Sequence, residues 1–207
     1  MRKMEKMLVV ALVSAFLLLV GGTAGAALIE GDLAAPGDGL VTLDTATGLE
    51  WLDLTATLGM SYNQAEASSY VTSDGFRHAT MAEAQTLFLD AGFLTVNNVN
   101  NPANDPAAAL LLDLVGCTQF CGTVNATGRG FADYTTPGWT TRPNYHNSGL
   151  GAGAAVVSLL SSNLDLVDTT SGNFLVRVAS VPEPSTGLLV AIGLVVAAGR
   201  RSRRRAA

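Results

Sequence analysis

Two histidines, two cysteines and a scatter of carboxylates are the residues through which this chain could do chemistry. Cys117 and Cys121 stand in GCTQFCG, a spacing that suits a local disulfide in an exported protein. A zinc site needs more nitrogen or sulfur ligands, and only His78 and His146 are left to supply them. His78 sits inside GFRHAT, a strand-like run where a histidine reads as structural. His146, in the loop-like RPNYHNSG beside Tyr145 and Asn147, is the better candidate for a site. Glu50 and Asp53 flank Trp51, but residues three apart on a strand face opposite sides, so they make a poor acid–base pair. Asn101, Asn104 and Asp105 offer oxygens for calcium, yet few are acidic and their spacing fits no EF-hand. The glycine run Gly149–Gly153 follows no strand and reads as a flexible connection. No G-x-S-x-G, H-E-x-x-H or paired C-x-x-C is present, so no catalytic residue, metal or cofactor is assigned.

The elements that must carry these residues are short. Leu40–Leu43 and Leu49–Leu54 read as a β-hairpin turning through Asp44–Gly48, with Gly48 in the left-handed region. Ser61 caps a helix running through Tyr62, Ala65, Ser69 and Tyr70, and Asp74-Gly75 breaks it. Phe76–Ala79 is a short strand, and Thr80-Met81-Ala82-Glu83 is a capping box that starts a helix over Met81–Leu89, closed by Ala91-Gly92. Residues 96–106 read as a loop and Ala107–Val115 as a third helix, while Gly122–Gly153 shows no clear period. Ala154–Leu160, Leu164–Asp168 and Phe174–Ala179 read as an antiparallel β-meander, its last strand docked in the sheet. The fold class is therefore α+β: an N-terminal β-hairpin, two to three short helices, long loops and a C-terminal meander.

Both ends of the chain lie outside that domain. Arg2, Lys3 and Lys6 precede a 13-residue apolar run, Leu8–Val20, and then Ala24-Gly25-Ala26, the pattern of a secretory signal cut before Ala27. At the other end Val181, Pro182, Glu183 and Pro184 introduce 13 uncharged residues from Gly187 to Gly199, including Leu188, Leu189, Ile192 and Leu194. As a helix this run spans about 20 Å against about 30 Å of bilayer hydrocarbon, a short transmembrane segment. Arg200, Arg201, Arg203, Arg204 and Arg205 follow as a stop-transfer cluster that belongs in the cytoplasm. The organisation is thus a signal peptide at 1–26, an exported domain at 27–180 and a C-terminal sorting signal at 181–207.

A Pro-Glu-Pro motif, an apolar stretch and an arginine-rich end, in that order, resemble the PEP-CTERM sorting signal of Gram-negative bacteria. The resemblance implies a transient partner, the membrane transpeptidase exosortase, which cuts near the motif. It also implies passage through an inner-membrane intermediate to the cell surface or extracellular matrix, where carriers accompany exopolysaccharide. The body, through SYNQAEASSYVTSDGFRHATMAEAQTLF, resembles a C-type-lectin-like domain. It lacks the Glu-Pro-Asn and Trp-Asn-Asp sugar motifs and the long-range cysteine pairs, so sugar binding does not carry over from that resemblance.

Without its ends the body keeps four arginines, no lysine and fifteen carboxylates, a charge near −11. That excludes a basic patch for nucleic acid and favours solubility. Export makes a local disulfide the reading for Cys117 and Cys121, one that stabilises its own loop more than the whole fold. The chain reads as a non-catalytic exported surface or matrix protein associated with exopolysaccharide and biofilm. The alternative is a secreted enzyme acting on matrix glycan through Trp139, Arg142, Tyr145 and His146. Because the apolar tail is too short to hold the domain well, it should be removed near Pro182–Thr186. Intact mass of the secreted form checks this, and a species that still carries Arg200–Arg205 contradicts it.

Overall fold

A computed structural model of the chain describes residues 27–97, 99–133, 140–147 and 153–180, with the side chains of 156–161 outside that description. The signal residues through Ala26, Trp139 and the whole tail from Val181 lie outside the described residues. In chain order the elements are β1 (Leu28–Gly31), β2 (Val41–Asp44), β3 (Leu49–Leu52), α1 (Tyr62–Glu66), α2 (Ser69–Thr72), β4 (Arg77–His78) and α3 (Met81–Asp90). After them come α4 (Asp105–Leu114), β5 (Thr127–Asp133), β6 (Thr140–Asn147), β7 (Gly153–Ser161), β8 (Gly172–Asn173) and β9 (Leu175–Val178). The strands form one sheet in the order β1-β2-β3-β9-β4 and a second in the order β7-β6-β5-β8. The class is α+β, as the residue pattern implies.

Local chemistry sets the first half. Asp44 Oδ1 accepts the Ala46 N–H at 2.9 Å and its Oδ2 accepts the Thr47 hydroxyl at 2.7 Å, while Gly48 turns the chain at φ +69°. Strands β2 and β3 then pair antiparallel, Val41 opposite Leu52 and Asp44 opposite Leu49. The second strand stops at Leu52, not Leu54, because the Asp53 carboxylate takes the Thr55 N–H at 2.6 Å and starts a 3-10 turn over Leu54–Thr57. Ser61 and Thr80 both form complete capping boxes, with Gln64 and Glu83 respectively. The helix expected through Tyr70 is two helices, because the Ser68 hydroxyl donates to the Ala65 carbonyl at 2.6 Å and Ser68 itself is extended. The third helix begins at Asp105, two residues earlier than expected, behind a 3-10 turn that opens with Pro102.

The stretch without a clear period holds two strands of the second sheet. On β5 the buried face carries Gly128, Gly130 and Ala132, which give no apolar signal. Their room is filled from elsewhere: a Cβ on Gly128 would lie 2.2 Å from the Tyr145 ring, and one on Gly130 2.8 Å from Leu54. Antiparallel pairing of β5 with β6 and of β6 with β7 makes a meander. Its strands are not the three expected, because only Ala154–Leu160 falls within it. Leu164–Asp168 forms no strand: the Asn163 and Asp168 side chains take the N–H groups of Asp165 and Thr170, at 3.1 and 2.9 Å. Phe174–Ala179 contains β9, which inserts into the first sheet between β3 and β4.

Strand β3 is covered on both faces. Trp51 belongs to the larger apolar cluster with Leu54, Phe88, Leu111, Tyr145 and Phe174, whereas Leu52 packs with Val41, Phe76 and Leu175. Among the described residues, every buried member of both clusters lies between Val41 and Val176. Trp51 is 1% exposed, meets Phe174 edge-on at 6.2 Å, and its indole N–H has no acceptor. Trp51→Ala should therefore cost roughly 3–5 kcal/mol, and Trp51→Phe less, since no hydrogen bond is lost. Denaturant unfolding of both variants checks this, and an unchanged midpoint for Trp51→Ala contradicts the core assignment.

Candidate functional site

Three groups of side chains could carry function: the buried network around His78, an arginine pair on the second sheet, and the segment that follows β9. The first is assembled by short pieces from distant parts of the chain. His78 Nδ1 lies 2.6 Å from Glu66 Oε1, and Nε2 lies 3.1 Å from Asn173 Oδ1. The Asn173 amide is oriented by donating to the Met60 carbonyl at 3.2 Å, so its oxygen faces the imidazole. Tyr62 stacks on the ring at 3.7 Å between centroids and donates its hydroxyl to Asp133 Oδ1 at 2.6 Å. Burial, and then the Asp133 hydrogen bond and charge, push the Tyr62 hydroxyl well above its usual pKa, so it stays protonated. Both imidazole nitrogens are engaged and the His78 side chain is fully buried, which leaves no lone pair facing a substrate. This is a structural cross-link between α1, β4 and β8.

The second group lies on the outward face of β5 and β6. Arg129 Nε donates to the Ser171 hydroxyl at 3.0 Å, and its Nη2 donates to Thr170 and to Asp168. Arg142 Nη1 donates to the same Asp168 oxygen at 2.7 Å and lies over the Phe131 ring at 5.5 Å. Burial works against the Asp168 charge, but the Thr170 hydroxyl and N–H, the Arg129 guanidinium and the Ser171 hydroxyl outweigh it. They hold the carboxyl below the usual range. Two guanidiniums thus share one carboxylate, which ties the 164–171 segment to the sheet. The pattern of residue types missed this cluster, because Arg129 and Asp168 are 39 positions apart. One signal was present: with four cations in the body, each has an acid to find.

The residues singled out for chemistry do not converge. His146 is on β6, not in a loop, and meets Asn100 Oδ1 at 3.3 Å, while burial lowers its pKa and favours the neutral ring. Tyr145 points to the other face, fully buried, and donates to the Gly116 carbonyl at 2.7 Å. Glu50 accepts from Arg177 at 2.6 Å, while Asp53 caps the 3-10 turn. Asn101 and Asn104 take the N–H groups of Ala103 and Leu94, at 2.9 and 3.0 Å, and so spend their oxygens on the backbone. Among the described residues no three His, Cys, Asp or Glu side chains come together to hold a metal ion. Cys117 and Cys121 are joined by a disulfide, with Cα atoms 5.7 Å apart.

Ala27, where the mature chain is expected to begin, is held by Thr45: their N–H groups and the Thr45 hydroxyl exchange three bonds at 3.0 Å. The contacts of the chain divide at Arg177, and in the C-terminal unit the described residues are Val178, Ala179 and Ser180. The apolar run 187–199 and its arginines lie beyond them, and no helix among the described residues is long and apolar enough to cross a membrane.

Comparison with known families finds a match in the segment that follows β9. The PEP-CTERM protein-sorting motif matches residues 180–205. The chain therefore carries a sorting signal that marks it as an exported protein of a Gram-negative bacterium, sorted by an exosortase. No curated protein and no solved structure matches the chain.

Replacing His78 by Phe keeps a ring against Tyr62 but leaves the buried Asn173 oxygen without a donor. Such a loss costs about 1–3 kcal/mol, measurable as a lower denaturant midpoint. A His78→Phe variant as stable as the parent contradicts the structural role.

Proposed function

We propose that the exported body is a non-catalytic cell-surface or matrix component that associates with exopolysaccharide in the biofilm. The observation that carries this reading is the position of the sorting motif. It begins at residue 180, two residues after β9 ends, so the sorting signal follows directly on the folded body. The engagement of His78, Glu50, Asp53, Asn101 and Asp168 in capping, cross-linking and ion pairs supports the same reading. Exosortase is the partner during export, and the tail holds the precursor at the inner membrane until processing. The mature domain then remains at the surface or in the matrix.

Incubating the purified domain with exopolysaccharide from the producing bacterium tests the reading. Retention of the protein on the polymer with no change in polymer size is the expected result. Depolymerisation would make it a glycan-cleaving enzyme, and absence of both binding and cleavage would remove the polysaccharide from the account.

A further inference from the structure

The buried imidazole of His78 faces two acceptors. Nε2 lies 3.1 Å from Asn173 Oδ1, and the amide is held in that orientation because Asn173 Nδ2 donates to the Met60 carbonyl at 3.2 Å. An amide oxygen only accepts, so this contact assigns a hydrogen to Nε2. Nδ1 lies 2.6 Å from Glu66 Oε1, and a carboxylate also only accepts, so this contact assigns a hydrogen to Nδ1. A neutral imidazole has a single N–H. It satisfies one contact and sets a lone pair against an oxygen in the other. The imidazolium cation, with a hydrogen on each nitrogen, satisfies both. A charge-assisted hydrogen bond is short, and the bond to Glu66 is the shorter of the two.

The surroundings favour that cation. The Tyr62 ring lies face to face with the imidazole, 3.7 Å between centroids and 14° between planes, and an aromatic face attracts positive charge. The elements around His78 bring more acid than base. Glu66 comes from α1, and Asp133 of β5 accepts the Tyr62 hydroxyl at 2.6 Å. Arg77, the neighbour on β4, pairs with Glu83 of α3 at 2.6 Å. Arg177 of β9, the strand that pairs with β4, is held by Glu50 at 2.6 Å. Strand β8 contributes no charged side chain. Each arginine thus has a carboxylate of its own, and Glu66 is left to His78. The His78 side chain is fully buried, whereas that of Glu66 is 42% exposed. A buried charge is tolerated where it is paired and hydrogen-bonded, as this one is.

We propose that His78 carries a hydrogen on both ring nitrogens in the folded protein and acts as a proton-dependent clasp between α1, β4 and β8. The clasp holds Asn173, which lies in the buried run Ser171–Val176. When the ring loses one hydrogen, a lone pair meets either Glu66 or Asn173, and that side of the clasp opens. The folded chain therefore keeps a proton that the unfolded chain releases, so the stability it supplies is present at low pH and lost as pH rises. The chain has two histidines, so a His146→Gln background leaves His78 as the one imidazole to observe. Nitrogen-15 NMR of the secreted protein should show hydrogens on both ring nitrogens at about pH 7.5, where an unfolded histidine, titrating near about 6.5, has lost one. Glu66→Gln keeps the shape and removes the charge, and it should weaken the hold on the second hydrogen at least tenfold, about one pH unit in the titration. Between about pH 6 and pH 8.5 the denaturant midpoint should fall further in the parent than in Glu66→Gln. A hydrogen on one ring nitrogen alone overturns the proposal. So does a titration that Glu66→Gln leaves unmoved, or a midpoint with the same pH dependence in both proteins.

Discussion

Phe174 is the residue on which the two sheets meet. Its N–H donates to the Phe131 carbonyl of β5 at 2.8 Å, and its own carbonyl accepts the Ala79 N–H just after β4, also at 2.8 Å. Its ring meets Trp51, Phe88 and Tyr145 edge-on at 6.2, 6.1 and 6.5 Å, which joins β3, α3 and β6 in one apolar cluster. The residues before it are the edge of one sheet and the residues after it lie inside the other. Six consecutive positions, Ser171 to Val176, are buried in a row. Removing this segment would open both sheets at once and unpair His78 from Asn173.

This constraint bears on export. The core closes only with the segment that immediately precedes the sorting motif, so nearly the whole body must be present before its core is complete. Yet among the described residues both apolar clusters take their members from within residues 28–176. A cut near Pro182–Thr186 would leave all of those residues in the mature chain. The surface groups follow the same division. Arg77 and Arg177 neutralise Glu83 and Glu50 at 2.6 Å, and the remaining carboxylates keep the body acidic.

What could be read from residue types was what is decided locally. The Asp44–Gly48 turn, the Ser61 cap and the Thr80 capping box are made by side chains bonding to the backbone within three or four positions, and all three form. Strands β5 and β6 escaped because their packing is not local: Gly128 and Gly130 look like loop residues until Tyr145, Leu54 and Phe174 are known to fill the space above them. Phe174–Ala179 was legible as a strand, but its neighbours β3 and β4 come from the other end of the body. The sorting signal was legible because its three parts are contiguous. The sharing of Asp168 by two arginines leaves no trace in residue pattern.

Amide hydrogen exchange on the chain ending at Ser180 tests most directly whether this segment holds the body together. The account predicts that the Phe174 and Ala79 amides exchange only through global unfolding, as slowly as the most protected amides of α3. Exchange of these two amides through a local opening, well ahead of α3, would contradict it and detach the last strands from the core.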